Sequence, residues 1–417
     1  MSEVLTSRPI MSTLIPAAAD RPGDDPIFAL NGEAQRRAAA GESVVNATIG
    51  ALMEDDGSLS ILPSVFEVFG RVDPRSAAAY APIAGDAPFL AAVVRDVFGE
   101  GRLAAEAVAV ATAGGTGAVH HGVVNFLEPG QALATSDYYW GPYQTIAHHT
   151  GRRVEVFSTF TSSGAFDLDA LERLLARQLE AQGRALVVLN FPCHNPTGYS
   201  LDEAEWRGLA EVLARHGARA PVTFLLDLAY ARYAAAGADS WVRWIEPFAQ
   251  SGTLLVAWSA SKAFAQYGAR VGALLAVSAD SEERARIRNA LAYSCRGTWS
   301  NCNHLGILAI THLLTDPELR ARSDAERARL KALLDERVAA FNRDARRAGL
   351  RFPRYEGGFF VTVFTRDAKR TAAVARDSGV FVVPLEGAVR VALCSTPARD
   401  VPRLVEALRR GVEAAGS

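Results

Sequence analysis

Short apolar runs alternate with amphipathic segments between about residues 105 and 280. The segments 167–182 and 202–217 are examples of the second kind, with apolar positions at helical spacing. The strand-like runs are VAVAT (108–112), ALATS (132–136), RVEVF (153–157), ALVVLN (185–190), VTFLLD (222–227), TLLVAW (253–258) and VGALLAV (271–277). Strand-length runs separated by helices of this length are typical of a largely parallel sheet covered on both faces. The pattern therefore predicts an α/β domain.

A different pattern begins near residue 316. Asp316-Pro317 is a good helix start, and apolar positions then recur at helical spacing as far as Gly349, where a helix can end. Two further apolar runs, 358–364 and 389–395, have the composition of strands. The chain is thus expected to continue through a long helix into a smaller α+β lobe. Residues 1 to about 30 lack steady periodicity and are expected to form a loose arm.

Length and charge exclude several classes of protein. The chain has 417 residues, which suggests two or three domains, or one large α/β unit with an added lobe. Its 44 basic and 46 acidic side chains give a net charge of −2, so no overall attraction to nucleic acid or to an acidic membrane is expected. No apolar run approaches the ~20 residues of a membrane span. Neither nucleic acid nor membrane is therefore an expected partner.

The start of the chain and its cysteines indicate where the protein is expected in the cell. The start of the chain makes a poor signal peptide, because it carries Glu3 and its short apolar stretch contains proline. The four cysteines are too scattered for a disulfide framework, and no Cys-x-x-Cys pair suggests a zinc site. The default expectation is a soluble cytoplasmic protein without a metal.

Lysine is rare in this chain, which has only three lysines among its 44 basic residues. Lys331 lies in an apolar-periodic helix with charges on its outer face, and Lys369 lies in a polar stretch, so both are expected at the surface. Lys262 differs, since it follows the apolar run 253–258 and lies among small residues in SASKAF.

Ligands of parallel sheets collect at the carboxyl ends of the strands, and several unusual clusters fall there. The segment 112–118, TAGGTGA, follows a predicted strand and opens a predicted helix. Glycines let the backbone approach an anion, and a helix N-terminus supplies free N–H groups and a favourable dipole. Taken alone, such a segment is more often an ordinary turn.

Two further clusters follow the next strands. Asn195-Pro196-Thr197-Gly198 comes after the run 185–190, and a β-turn is its simple structural interpretation. Asp227 closes the very apolar run 222–227, and a carboxylate there needs a partner because its desolvation is costly. A protonated heterocycle is one such partner, and helix capping by Asp227 is the alternative.

The last cluster is Ser259-Ala260-Ser261-Lys262, with Arg270 eight residues beyond the lysine. It offers hydroxyls, an amine and a guanidinium, which suit a phosphate and a carbonyl group. A lysine near apolar and cationic neighbours has a lowered pKa and can attack an aldehyde as an amine nucleophile. The alternative is a partly exposed lysine at the end of a strand.

Taken in this order, the motifs resemble the class I aminotransferases of the aspartate/aromatic type, within the fold-type I pyridoxal-phosphate enzymes. The shared motifs are GGTGA, NPTG, Asp-x-Ala-Tyr, Ser-x-Ser-Lys with its following arginine, and the late arginine in VRVAL, between about Asn46 and Arg390. The resemblance implies a large domain with a mostly parallel seven-stranded sheet between helices, and a smaller α+β domain built from both termini. It divides the chain into an arm (1–30), the N-terminal part of the small domain (31–60), a large cofactor-binding domain (61–320) and the C-terminal part of the small domain (321–417).

The resemblance also implies pyridoxal 5′-phosphate as the cofactor and a role for each matching residue. Lys262 matches the lysine that forms the Schiff base with the cofactor and moves the α-proton. Asp227 matches the carboxylate that pairs with the pyridine nitrogen, while Asn195 and Tyr230 match the pair that hydrogen-bonds the phenolic oxygen. The remaining cofactor contacts that it implies within one chain are Gly115, Thr116, Ser259 and Arg270 at the phosphate and Trp140 stacked on the ring. The resemblance further implies a homodimer with shared active sites, in which Tyr80 reaches the phosphate bound by the partner subunit.

Three residues are implied in substrate binding. Arg390 matches the arginine that grips the α-carboxylate through two parallel hydrogen bonds, and Gly50 matches a backbone contact nearby. Arg296 matches the arginine that binds the distal carboxylate of dicarboxylic substrates from the partner subunit. The chain departs from the dicarboxylate members at Tyr143, where they usually carry histidine, and in WSNCNH, which lacks their Pro-Pro pair.

The expected reaction is transfer of an amino group from an L-amino acid, acidic or aromatic, to a 2-oxo acid such as 2-oxoglutarate, in ping-pong half-reactions. A pyridoxal-phosphate-dependent lyase, cyclase or oxidase acting on a specialised amino acid is the alternative enzyme. A non-catalytic regulator would need an additional DNA-binding segment, for which the N-terminal arm is too short.

Overall fold

The computed structural model of the chain describes residues 12–19, 21–23, 26–237 and 241–416. Much of the expected arm, including residues 1–11, lies outside the described residues. Its described part contains a four-residue helix, Pro16–Ala19, and the start of a longer helix at Pro26, so regular structure begins before residue 30.

Every predicted run forms a strand. In chain order the described strands are β1 Val45–Asn46, β2 Ala107–Ala113, β3 Ala132–Ser136, β4 Arg153–Phe157, β5 Ala185–Leu189, β6 Val222–Asp227, β7 Thr253–Ser259, β8 Val271–Val277, β9 Phe360–Phe364, β10 Val380–Phe381, β11 Val383–Leu385 and β12 Ala388–Ala392. Seven of them form one sheet in the order β2-β8-β7-β6-β5-β3-β4. Strand β8 is antiparallel to both of its neighbours, whereas the other pairings are parallel. The mostly parallel seven-stranded sheet is thereby confirmed.

The direction of the strands determines where a site can form. Because β8 runs antiparallel to β2 and β7, those two strands run in the same direction as β3 to β6. Their carboxyl ends, and the amino end of β8, therefore meet at one edge of the sheet. This places Arg270, which directly precedes β8, beside the residues that follow the other strands.

Helices connect these strands and cover both faces of the sheet. They are α1 Pro16–Ala19, α2 Pro26–Ala39, α3 Pro63–Arg71, α4 Pro74–Ala78, α5 Ala87–Phe98, α6 Arg102–Ala105, α7 Gly114–Phe126, α8 Pro142–His149, α9 Leu168–Gln182, α10 Glu203–Gly217, α11 Trp241–Ile245, α12 Ala260–Ala263, α13 Ser281–Thr298, α14 His304–Thr315, α15 Pro317–Arg347, α16 Ala368–Asp377 and α17 Val401–Ala414. Within the ranges given above, every helix is too short or too polar to cross a bilayer.

The core lies on both faces of the sheet because side chains of a strand alternate between them. In β5, Leu186 and Val188 belong to the apolar cluster that includes residues of α7, α8 and α13. Val187 and Leu189 belong to the cluster on the other face, which includes residues of α9 and α10. All four side chains are buried, as expected of a central parallel strand.

The smaller lobe combines segments from both ends of the chain. Strand β1 pairs with β10 in parallel, and β9, β12 and β11 form an antiparallel sheet. The expected α+β lobe from both termini is present, while the domain boundaries given above stay a prediction. The apolar run 389–395 is shorter as a strand than expected, since Leu393–Ser395 is a 3-10 turn. The chain turns there so that the carbonyls of Leu393 and Cys394 accept hydrogen bonds from the buried Arg337.

The long helix α15 begins and ends where the sequence indicates. The Asp316 carboxylate accepts hydrogen bonds from the amides of Glu318 and Leu319, which satisfies the free N–H groups of the first turn. The helix ends just before Gly349, whose φ of 70° suits glycine.

Strand β8 passes unusually close to the start of α7. A Cβ atom on Gly272 would lie 2.5 Å from the carbonyl carbon of Gly114, so only glycine permits this approach. The first turn of α7 is thereby held against the amino end of β8, directly beside Arg270.

Candidate active site

A cavity of about 190 Å³ lies at the carboxyl edge of the sheet. Nine of its lining residues are cofactor contacts that the sequence predicts, drawn from the carboxyl ends of five strands and the amino end of β8. The lining consists of Gly115, Thr116, Trp140, Asn190, Asn195, Asp227, Ala229, Tyr230, Ser259, Ser261, Lys262 and Arg270. Residues up to 155 positions apart in the chain thus surround one small volume.

Asp227 ends β6 and is buried in the wall of this cavity. Its Oδ2 accepts a hydrogen bond of 2.9 Å from the Tyr143 hydroxyl, and its Oδ1 accepts one of 3.1 Å from the amide of Ala229. Burial raises the pKa of the Asp227 carboxyl, while these two donors and the Lys262 amine oppose that rise. The carboxylate is therefore fixed in place, and a further positive partner would favour its ionised form.

Lys262 lies in the short helix α12, directly after β7. The helix is capped by Ser259, whose Oγ accepts a hydrogen bond from the amide of Ser261. The Lys262 Nζ lies 4.8 Å from the ring centroid of Tyr267 and 5.8 Å from that of Tyr230. Two aromatic faces therefore hold the amine at the cavity wall.

Burial lowers the pKa of the Lys262 amine to about 8, and the Arg270 guanidinium acts in the same direction. The nearby Cys394 and Asp227 oppose this effect. Near neutral pH a useful fraction of the amine is therefore unprotonated and available as a nucleophile or base.

A set of anion-binding groups surrounds Arg270. Its Nη1 lies 3.2 Å from the Ser261 Oγ and 2.9 Å from the carbonyl of Tyr267, to both of which it donates. The guanidinium also lies against Gly114 at the N-terminus of α7, where a Cβ atom would approach it within 2.5 Å. Backbone N–H groups, hydroxyls and a guanidinium together are typical of a phosphate site.

Asn195 and Tyr230 form a polar pair in the same wall. The Asn195 Nδ2 donates to the Tyr230 hydroxyl at 3.4 Å, and burial raises the pKa of that phenol above its ordinary range. The backbone amide of Asn195 donates to the Oδ1 of Asn190, whose own Nδ2 donates to the carbonyl of Asp227. Asn190 thus connects the turn that carries Asn195 to the end of β6.

The donor set fits pyridoxal phosphate. Arg270 and the first turn of α7 suit its phosphate, the Lys262 amine suits its aldehyde, and Asp227 suits a protonated ring nitrogen. Asn195 and Tyr230 suit its phenolic oxygen. A buried carboxylate with a raised pKa is the group that a pyridinium would stabilise in its charged form.

Arg390 and Gly50 lie next to this cavity and not in its wall. The Arg390 Nη2 donates to the carbonyl of Thr48 at 2.7 Å, and its guanidinium lies 4.4 Å from the ring centroid of Phe360. A Cβ atom on Gly50 would approach the Cζ of that ring within 2.6 Å, and the same ring lies 5.7 Å from that of Tyr230. Phe360 therefore lies between the two predicted substrate contacts and the cavity.

Tyr80 and Arg296 are not brought into the cavity by this chain. The Tyr80 side chain is 91% exposed. Arg296 lies on α13 and its Nη1 donates to the Ser300 hydroxyl at 2.6 Å. The roles expected for both across a dimer stay predictions.

Sequence reasoning missed Asn190, Tyr267 and Phe360. Asn190 directly follows β5, so the rule that selected Asp227 at the end of β6 would also have selected it. Tyr267 and Phe360 lie in ordinary apolar surroundings in the sequence, and no local signal marks them.

The comparison with known proteins decides the family. Residues 42–408 match the sequence profile described as aminotransferase class I and II. The chain belongs to this aminotransferase family. An aspartate aminotransferase of Pseudomonas aeruginosa is 32% identical over 312 residues, covering 72% of this chain and 75% of that protein. A tyrosine aminotransferase of Klebsiella pneumoniae is 33% identical over 291 residues, covering 68% of this chain and 71% of that protein.

Solved structures agree with this membership. The crystal structure of an aminotransferase from Anaerococcus prevotii superposes with a TM-score of 0.91 at 30% identity, covering 96% of this chain and all of that one. The crystal structure of an aromatic-amino-acid aminotransferase from Burkholderia pseudomallei, covalently bound to pyridoxal phosphate, superposes with a TM-score of 0.80 at 25% identity. The match covers 95% of this chain and 98% of that one. The expected fold, the aminotransferase activity and the pyridoxal phosphate cofactor are thereby confirmed.

The lowered pKa of Lys262 leads to a pH prediction. In protein freed of cofactor, the rate at which cyanate carbamoylates Lys262 should rise with pH and reach half its maximum near pH 8, since only the unprotonated amine reacts. Peptide mass spectrometry separates this site from the other two lysines, and Lys262→Ala provides the blank. A midpoint at the ordinary value near 10.5 would contradict the burial of the amine.

The hydrogen bond from Tyr143 leads to a second prediction. Tyr143→Phe removes a donor to the Asp227 carboxylate, so the carboxyl pKa should rise further and pairing with the cofactor ring should weaken. The dissociation constant for pyridoxal phosphate, measured by fluorescence titration, is expected to increase about 10-fold or more, as for loss of a hydrogen bond to a charged group. Tyr139→Phe is the matched control, because the Tyr139 hydroxyl donates to Gln144 and not to Asp227. Equal dissociation constants for Tyr143→Phe and the parent would disprove this role.

Proposed function

We propose that this aminotransferase moves the amino group of an acidic or aromatic L-amino acid to a 2-oxo acid such as 2-oxoglutarate. The observation that carries the proposal is the meeting of Lys262, Asp227 and Arg270 in one cavity, with Arg390 beside it. The named relatives, an aspartate and a tyrosine aminotransferase, support acidic and aromatic donors.

Each residue has a distinct task in this proposal. When bound, pyridoxal phosphate supplies a cationic ring that stabilises negative charge at the substrate Cα. Asp227 keeps the ring nitrogen protonated, and Arg270 with the N-terminus of α7 holds the phosphate. Lys262, through its partly unprotonated Nζ, removes and returns the proton at Cα. Arg390 orients the substrate α-carboxylate, and its position is supported by the carbonyl of Thr48 and the ring of Phe360.

The proposal includes a homodimer with shared active sites. Tyr80 is almost fully exposed, and it belongs to a group of large apolar side chains that are exposed on neighbouring elements. These side chains are Leu59, Ile61, Phe66, Ile83 and Leu305. The His304 side chain at the start of α14 contacts the carbonyl of Ala79 and the carboxylate of Asp86, which brings α14 beside Tyr80. Such a patch is typical of a surface covered by another subunit.

The proposed cellular location is the cytoplasm. The four cysteines are all unpaired and buried, and secreted proteins more often use cysteines in disulfides.

The reaction is tested with a panel of amino acids. Acidic and aromatic amino acids should bleach the visible band of the purified enzyme, a 2-oxo acid should restore it, and the amount of new amino acid should equal the amount of donor consumed. Lys262→Ala should lower the rate about 10³-fold or more, because the base at Cα is lost. Lys369→Ala, at an exposed lysine of α16, is the matched control. Release of ammonia in a single pass without any oxo acid would instead indicate a lyase or oxidase.

The role proposed for Arg296 is tested by substrate class. Arg296→Ala should raise the KM for aspartate and 2-oxoglutarate about 10- to 100-fold, because a charge-assisted contact to the distal carboxylate is lost. The KM for tyrosine should stay within about twofold, since that substrate has no second carboxylate. Arg288→Ala, at an exposed arginine of the same helix, is the control. A uniform loss for all substrates would point to damage of α13 alone.

A further inference from the structure

Tyr267 contacts three parts of the site through three different groups. Its hydroxyl accepts a hydrogen bond of 2.9 Å from the buried amide of Leu52. One face of its ring lies 4.8 Å from the Lys262 Nζ, and its backbone carbonyl accepts a hydrogen bond of 2.9 Å from Arg270. Burial raises the pKa of the phenol well above its ordinary value, so the hydroxyl stays protonated at working pH.

The partner segment of the Tyr267 hydroxyl, residues 48–53, lies beside the predicted carboxylate site. The carbonyl of Thr48 accepts the hydrogen bond from Arg390, and Gly50 packs against the ring of Phe360. Most of this segment lies in neither a helix nor a strand, so individual hydrogen bonds must hold it. At Met53 the amide donates to Cys394 and the carbonyl accepts from Arg337.

Those other hydrogen bonds connect the segment to the C-terminal part of the chain. The hydrogen bond from Leu52 to Tyr267 instead connects the segment to the loop between α12 and β8. Lys262 lies in α12 just before this loop, and Arg270 is the last residue of the loop. A displacement of this segment would move the α-carboxylate relative to the amine, and small misplacements of reacting groups are costly in rate and binding.

We propose that Tyr267 is a positioning residue that aligns the carboxylate-binding segment 48–53 with the Lys262 amine. Its hydroxyl fixes the segment through Leu52, and its ring fixes the amine. This inference rests on the proposed function, since it takes Arg390 as the carboxylate contact and Lys262 as the base. It adds a residue that is not itself part of the cavity lining. Tyr267 acts through two lining residues, Lys262 and Arg270, and through the segment 48–53.

Tyr267→Phe separates the two tasks, because it keeps the ring beside Lys262 and removes the acceptor for the Leu52 amide. In the holoenzyme, deuterium exchange in the peptide that contains Leu52 should become about 10-fold faster or more. The KM for the amino acid should rise about 10-fold, kcat should stay within about threefold, and the pH titration of the visible band should be unchanged. Tyr267→Leu, which also removes the ring, should in addition shift that titration.

Tyr199→Phe is the matched control, because it removes a buried phenol that donates to Glu205 at 2.5 Å and not to the segment 48–53. It should change neither the exchange at Leu52 nor the KM. The proposal is overturned if Tyr267→Phe matches the parent in both readouts, or if kcat falls while KM and exchange are unchanged. It is also overturned if the Leu52 amide of the parent exchanges as fast as the exposed turn at Gly57. Failure of the proposed function would appear separately, as absence of amino transfer by the parent, because the exchange measurement does not depend on turnover.

Discussion

A buried carboxylate and a buried amine in the wall of one small cavity set the requirements for the rest of the site. Burial destabilises the charged form of both Asp227 and Lys262, and neither could be tolerated in an apolar core without partners. Tyr143 and the amide of Ala229 hold the carboxylate, and two aromatic faces hold the amine. The free-energy cost of burying these groups is explained by the cofactor, which brings a positive ring for the carboxylate and an aldehyde for the amine.

The topology of the sheet explains how such groups come together. Six strands end at one edge, and the antiparallel β8 begins there, so residues from distant parts of the sequence share a small volume. The close approach of Gly272 to Gly114 then sets the N-terminus of α7 beside Arg270. The predicted phosphate site therefore depends on backbone packing as much as on the charged side chain.

The predicted substrate contact and the buried amine belong to different parts of the fold. Arg390 lies on β12 of the lobe, whereas Lys262 follows β7 of the large sheet. The segment 48–53 contacts both sides, through the carbonyl of Thr48 and the amide of Leu52. Its position therefore affects how Arg390, the proposed carboxylate contact, faces the amine, and Tyr267 is the large-sheet side of that connection.

The sequence by itself determined the strands of the large sheet, the long helix after Asp316 and the residues at strand ends, because periodicity and strand-end position are local properties of a chain. It also marked Lys262 through the rarity of lysine. Only the tertiary structure decided that Tyr143 donates to Asp227, that the Phe360 ring packs against both Gly50 and Arg390, and that Tyr267 accepts from Leu52. These contacts join residues as much as 310 positions apart, and no local pattern encodes a hydrogen bond or ring contact that exists only after the sheet and the lobe have packed together.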